Sequence, residues 1–140
     1  MNAIDTNVCV AAFTVGDPHR ATALELLEKL PDDGTVLLWQ VACETGAVLE
    51  RIQREQGAKH RHVDDPRKAV ELLVERFRLV YPGTGVLARG WDIHLKYQVS
   101  YWDAMLLAAC ADAGVRLLYT QDAQSQPEID GVTLINPFAS

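Results

Sequence analysis

Four carboxylates are the residues of this sequence best suited to chemistry: Asp5, Glu44, Asp103 and Asp122. Carboxylates held within a few ångströms of one another repel and raise each other's pKa. A hard divalent cation, which prefers oxygen ligands, relieves that repulsion. Such a cation also lowers the pKa of bound water and can support in-line displacement at phosphorus. The question is therefore whether the fold brings these four acids together.

Each acid, taken singly, also has a purely structural explanation. Asp5 could form an Asx-turn or a helix cap. Asp103 could be only the third-position acid of a capping box, and Glu44 could be a first-turn acid favoured by the helix dipole. Asp122 could lie in a polar turn. Only their joint position in the fold can separate these explanations from a shared site.

Short apolar runs of strand length alternate with longer segments of helical periodicity. The predicted strands are Asn2–Ile4, Val36–Trp39, Leu79–Tyr81, Val115–Tyr119 and Val132–Ile135. Strands that alternate with helices predict an α/β fold, in which a mostly parallel sheet is covered on both faces.

Helix start and stop signals lie between the predicted strands. Asp17-Pro18 and Asp65-Pro66 each pair an N-cap acid with proline at the first helical position. A further helix is expected over residues 84–97. Ser100 to Asp103 has the spacing of a capping box, and Gly114 is expected to end the helix that follows.

The predicted elements place all four acids at one edge of the sheet. Asp5 and Asp122 follow the first and fourth strands, and Glu44 is expected in the first turn of the helix after the second strand. Asp103 opens the helix that leads into the fourth strand. Ligands of open α/β sheets bind at the carboxyl ends of the strands, so these acids are expected to converge.

Length and composition favour one compact unit. The chain has 140 residues, of which 49% are hydrophobic, and we expect a single domain over residues 1–140. The longest apolar run, Ala104–Ala111, is too short to span a membrane. The segment Met1–Asp5 has no signal-peptide pattern, so the expected compartment is the cytosol.

The excess of acidic over basic residues argues against nucleic-acid binding through an overall positive charge. The formal net charge is −6 and the pI is about 5.1. One basic run, Arg51–His62, departs from this balance. It is either a solvated helix end with its loop or a rim that faces phosphate, and the sequence leaves both interpretations open.

Cysteine and tryptophan residues favour structural interpretations. The three cysteines form no closely spaced pair, and we expect buried, reduced thiols. They are Cys9, Cys43 and Cys110. The three tryptophans are expected in the core or at an interface rather than as stacking platforms for bases. They are Trp39, Trp91 and Trp102.

Five segments, in this order and at this spacing, resemble the PIN-domain ribonucleases, in particular VapC-type toxins of toxin–antitoxin pairs. They are Ile4-Asp5-Thr6-Asn7-Val8, Val41-Ala42-Cys43-Glu44, Trp102-Asp103-Ala104, Leu118-Tyr119-Thr120-Gln121-Asp122 and Val132–Phe138. The resemblance extends over essentially the whole chain.

The resemblance implies a three-layer α/β/α sandwich with a mostly parallel sheet of about five strands. It implies that the four acids named at the outset hold Mg²⁺ or Mn²⁺, and that Thr120 and Asn7 orient an acid or a water. The implied reaction is hydrolysis of RNA phosphodiester bonds. The implied partners are a small antitoxin and a second copy of the chain, with no membrane.

One segment departs from the PIN pattern. Proteins of this family often follow the last acid with an apolar residue and a glycine, whereas this chain has Ala123-Gln124-Ser125-Gln126-Pro127. A non-catalytic PIN-like module that binds RNA or protein therefore stays open as the alternative. A receiver-like signalling domain is disfavoured, because Asp5 has no acidic neighbour and no lysine follows Lys96.

Overall fold

The computed structural model of the chain describes residues 1–55, 60–123 and 127–139. These residues form six helices and a six-stranded sheet. The strands are β1 (Asn2–Ile4), β2 (Thr35–Leu38), β3 (Arg78–Val80), β4 (Leu117–Tyr119), β5 (Glu128–Ile129) and β6 (Val132–Ile135). The helices are α1 (Thr6–Phe13), α2 (Arg20–Lys29), α3 (Trp39–Arg54), α4 (Pro66–Arg76), α5 (Val86–Tyr97) and α6 (Tyr101–Asp112).

The sheet has the order β3-β2-β1-β4-β6-β5, in which all neighbours but the last pair are parallel. The predicted α/β class and mostly parallel sheet are confirmed. The count of about five strands missed β5, a two-residue strand antiparallel to β6. A strand this short carries no readable alternation of apolar and polar residues.

The central strands lie in the middle of the apolar core. Ala3 and Ile4 of β1, Leu37 of β2 and Leu118 of β4 are almost completely buried. Burial of this kind is typical of a parallel strand that helices cover on both faces. The core thus fixes the ends of β1, β2 and β4, which are the strand ends that precede the predicted site.

Two of the helix starts agree with the sequence signals and one does not. Asp65 caps α4 and accepts a hydrogen bond from Lys68 N, and Ser100 caps α6 and accepts one from Asp103 N. Asp17 does not open a helix at Pro18, because α2 begins only at Arg20. The Asp17 carboxylate instead accepts a hydrogen bond from His19 N at 2.8 Å, which closes an Asx-turn before the helix.

The end of α6 was predicted at Gly114 and is confirmed there. Gly114 has a φ of +76°, and its N–H donates to Ala111 O while the N–H of Val115 donates to Cys110 O. These two bonds are those of a Schellman motif. They satisfy the last carbonyls of α6 and direct the chain into β4.

Among the described residues, none of the helices combines the length and apolar character that crossing a bilayer requires.

Gly114→Ala tests the need for a left-handed residue at the end of α6. A Cβ at Gly114 would meet open space, so the only penalty is conformational and should lower the free energy of unfolding by about 1 kcal/mol. Gly85→Ala is the matched control, since Gly85 also faces open space but has a φ of −83°. Urea unfolding measures the free energy of unfolding of each variant. An equal loss of stability in Gly114→Ala and Gly85→Ala would contradict the prediction.

Candidate active site

Asp5 forms hydrogen bonds with residues at the carboxyl ends of both β1 and β4. It follows β1 directly, caps α1, and is only 8% exposed. One carboxylate oxygen accepts a hydrogen bond from Thr6 N at 2.7 Å, and the other accepts one from Thr120 Oγ1 at 2.8 Å. The Asp5 carboxylate is therefore fixed in position by donors from two strand ends.

Burial raises the pKa of Asp5 from 3.8 to about 6. The hydrogen bonds from Thr120 and Thr6 act against this rise, while the negative charges of Asp103 and Asp122 add to it. Asp5 is thus a buried acid with two acidic neighbours, and its charged form is disfavoured by its surroundings.

Thr120 and Asn7 position the loop that carries Asp122. The Thr120 hydroxyl accepts a hydrogen bond from Asp122 N at 3.1 Å while it donates to Asp5. The Asn7 amide donates to Asp122 Oδ2 at 3.3 Å and accepts from Gln121 N at 3.1 Å. The structure therefore places both residues that the sequence named as orienting groups in direct contact with an acid.

Glu44 lies in the second turn of α3 and not in the first turn, as the sequence analysis expected. The reason is that α3 begins at Trp39, directly after β2 ends at Leu38, without a connecting loop. The Glu44 carboxylate accepts hydrogen bonds from Thr6 Oγ1 at 3.1 Å and from Gln40 Nε2 at 3.0 Å. Because Thr6 adjoins Asp5, these bonds bring Glu44 to the same edge of the sheet.

Asp103 lies at the third position of α6 and also faces the cavities at the sheet edge. Its N–H donates to the capping Ser100 hydroxyl at 3.2 Å, which is the serine half of a capping box. Its exposed side chain also lines two cavities together with Asp5 and Asp122. The smaller cavity holds about 90 Å³ and includes Thr120, and the larger holds about 350 Å³ and includes Glu44.

Asp17 is a fifth acid in the lining of the larger cavity, and sequence reasoning missed it. Asp17 lies in the turn between α1 and α2, away from the strand ends and helix starts that carry the other four acids. Thr6 and Gln40 were also missed as partners of Glu44. Gln40 could have been found from its spacing, since residues four apart on a helix contact each other.

The chemistry of these donors fits a hard divalent cation. Neither lining includes a lysine, arginine or histidine among the described residues. Carboxylate oxygens without a protein counter-charge are the ligands that Mg²⁺ and Mn²⁺ prefer. Within residues 1–55, 60–123 and 127–139, however, no three acidic, histidine or cysteine side chains are close enough to hold an ion. The acids line a common cavity and do not form a ready ligand shell.

Two sequence segments that bear on the site are only partly described. Arg51 and Arg54 lie on α3, beyond Glu44, and neither lines the acidic cavity, which favours a solvated helix end. Lys59, in the same basic run, lies outside the described residues. So do residues 124–126 of the segment that departs from the PIN pattern.

The cysteine prediction is correct for two residues and wrong for the third. Cys9 and Cys110 are buried, and burial raises the pKa of each thiol to about 12. Cys43 is exposed. It lies on α3 directly after the buried residues Val41 and Ala42, and these apolar neighbours in the sequence gave no sign of its exposure.

Asp5→Asn should change how the stability of the metal-free protein depends on pH. The folded-state pKa of Asp5 lies above its unfolded value, so its contribution is fully present below pH 3.8 and is lost as pH rises through about 6. Between pH 5 and 7 the variant should gain about 1 kcal/mol in unfolding free energy relative to wild type. Urea unfolding in EDTA measures this difference at each pH.

The difference between the two proteins isolates Asp5, because every other titrating group is common to both. If the difference in unfolding free energy stays constant between pH 5 and 7, or if the variant becomes less stable relative to wild type as the pH rises, then Asp5 does not have the raised pKa described above.

Solved structures with the same fold include several from toxin–antitoxin systems. A toxin–antitoxin complex from Klebsiella pneumoniae is 17% identical, with a TM-score of 0.71, and the match covers 99% of this chain and 98% of that one. A VapC toxin of Mycobacterium tuberculosis that cleaves the sarcin-ricin loop is 20% identical, with a TM-score of 0.69 and coverage of 95% and 99%. A DNA-bound VapBC from Salmonella typhimurium is 15% identical, with a TM-score of 0.70 and coverage of 97% of each chain.

Identities this low establish a shared fold only. Comparison with curated proteins gives no match. The PIN-domain family matches residues 3–132, which include all four predicted acids and four of the six strands in full. The match agrees with the resemblance seen in the sequence and with the sheet order, and the chain therefore belongs to the PIN-domain family.

Proposed function

We propose that this chain is a metal-dependent endoribonuclease that hydrolyses RNA phosphodiester bonds. The observation that carries the proposal is the acidic cavity of about 350 Å³, whose described lining includes no basic side chain. Four carboxylates reach this cavity from separate elements: Asp5, Glu44, Asp103 and Asp122. In this proposal they hold Mg²⁺ or Mn²⁺, which when bound supplies Lewis acidity and an activated water.

The protein's own part in this chemistry is to fix its acids before substrate arrives. Thr6 N and Thr120 Oγ1 hold the two oxygens of Asp5, which limits the directions from which a ligand can approach. Asn7 restrains Asp122 through an amide hydrogen bond. Outer groups of this kind orient metal-binding carboxylates and raise affinity.

We further propose that the chain is the toxin of a toxin–antitoxin pair. Support comes from the structural neighbours that were solved as toxin–antitoxin or VapBC complexes. A small antitoxin would then block the acidic cavity. An exposed apolar stripe on α5, formed by Leu87, Trp91 and Leu95 at four-residue spacing, supports a second copy of the chain as another partner.

Asp103→Asn should abolish metal-dependent RNA cleavage while the protein stays folded. The change removes a ligand without removing the hydrogen bond of the Asp103 backbone to Ser100. We expect the cleavage rate to fall by more than about 100-fold, since losing even an outer partner of a metal site costs roughly 10- to 100-fold. A gel assay with a structured RNA and Mn²⁺ measures the rate.

Asp92→Asn is the matched control, because Asp92 is an exposed acid on α5 that lines neither acidic cavity. It should cut RNA at the wild-type rate. Calorimetric titration of Mn²⁺ should show binding to wild type and to the control, and much weaker binding to Asp103→Asn. A folded wild-type protein that neither binds Mn²⁺ nor cuts RNA would favour the non-catalytic RNA- or protein-binding module.

A further inference from the structure

The segment that follows β6 has no role in the proposed chemistry, yet it lies against the acidic site. It comprises Asn136, Pro137 and Phe138, the last residues of the fifth segment in the PIN resemblance. All three belong to the described residues, and none of them lines either acidic cavity. Any influence of this 136–138 segment on the acids must therefore pass through the residues that it contacts.

One contact of the 136–138 segment is with the loop that carries Asp122. The Asn136 amide donates a hydrogen bond to Gln121 O at 3.4 Å. On the other side of the loop, Gln121 N donates to Asn7 Oδ1 at 3.1 Å. The backbone of Gln121 is thus held between α1 and the 136–138 segment, directly before Asp122.

A second contact of the 136–138 segment is with the turn that carries Asp17. The ring of Phe138 stacks on the His19 imidazole, with their centroids 4.3 Å apart and their planes 16° apart. His19 N donates in turn to Asp17 Oδ1 at 2.8 Å. Phe138 is itself fixed, because its N–H donates to Asn136 Oδ1 at 2.9 Å and its ring packs against the core.

The 136–138 segment therefore connects two turns whose acids, Asp17 and Asp122, line the same cavity of about 350 Å³. The described lining of this cavity includes no basic side chain, so repulsion between its carboxylates favours separation of the turns. Contacts outside the cavity must oppose that repulsion. The antiparallel bridge between Val15 and His62 also holds the Asp17 turn, so loss of the stack should shift this turn without unfolding it.

We infer that Phe138, His19 and Asn136 are positioning residues for the acidic site. Through them, the 136–138 segment sets the distance between the Asp17 turn and the Asp122 loop. The inference rests on the proposed function and deepens it, because it makes the cation affinity of the cavity depend on side chains outside its lining. Outer groups that orient metal-binding carboxylates act in this way.

Calorimetric titration of Mn²⁺ into the full chain tests this dependence. Phe138→Leu keeps an apolar side chain but removes the stack, and it should weaken Mn²⁺ binding about tenfold, the lower end of what outer groups contribute. Phe138→Tyr keeps the stack and should bind within about twofold of wild type. His19→Ala should weaken binding as Phe138→Leu does, and the double variant should lose no more, because both changes remove one shared contact.

Gly114→Ala is the matched control for a general loss of stability. Gly114 follows α6 at the end opposite to Asp103, and it lines neither acidic cavity. This variant should bind Mn²⁺ within about twofold of wild type, since distant sites act independently. A loss of affinity in Gly114→Ala as large as that in Phe138→Leu would assign the effect to stability and overturn the inference.

Backbone hydrogen exchange, followed by NMR in EDTA, tests the positioning without a metal. Phe138→Leu should speed the exchange of the His19 amide, and Asn136→Ala that of the Gln121 amide, each by at least about fivefold. The Asp5 amide, which is bonded within the sheet, should exchange at the wild-type rate in both variants.

The two measurements separate this inference from the nuclease proposal. If wild type binds Mn²⁺ and cuts RNA while Phe138→Leu binds Mn²⁺ equally well, or if the losses in the double variant add, the inference is wrong and the nuclease proposal stands. If wild type neither binds Mn²⁺ nor cuts RNA, the nuclease proposal fails and hydrogen exchange decides the inference. Faster exchange confined to the two turns would then support the positioning role, and unchanged exchange would overturn it.

Discussion

The burial of one carboxylate, Asp5, is the constraint on which the site depends. Its two oxygens are held by Thr6 at the start of α1 and by Thr120 at the end of β4. Because the Thr120 hydroxyl also accepts from Asp122 N, the same contact sets the loop that carries a second acid. Burial in the surrounding core disfavours the charged form of Asp5. In the proposed function, this unfavourable charge is what a divalent cation would relieve.

The sheet order explains why distant parts of the chain share this site. Strands β2, β1 and β4 are adjacent and parallel, so the residues that follow them meet at one edge. Helix α6 brings Asp103 to that edge because it begins there and returns through the Schellman turn at Gly114 to β4. Gln40 adds a link across this edge, because it donates hydrogen bonds to Glu44 on α3 and to Trp102 O at the start of α6.

The sequence predicted the parts of this arrangement that local rules control. The caps at Asp65 and Ser100 and the turn at Gly114 depend on neighbouring residues, and all three were predicted correctly. The ends of β1, β4 and β6 were also correct, whereas β2 and β3 each end one residue earlier than predicted. The start of α2 and the turn position of Glu44 were wrong, because loop length and Asx-turn geometry decided them. The position of Asp17 beside the other acids and the exposure of Cys43 depend on how the helices pack against one another. The periodicity within a single helix does not contain that information.

Asp5 and the threonine that holds its carboxylate are far apart in the chain, and this distance matters while the protein is being synthesised on the ribosome. Asp5 and Thr120 are 115 residues apart, and β4 is itself flanked by β6, which ends at residue 135. Contacts of such long range form late, after the chain between them has closed. A growing chain therefore lacks the acidic cavity until β4 has been added, so a product that stops before β4 would contain Asp5, Glu44 and Asp103 without the site.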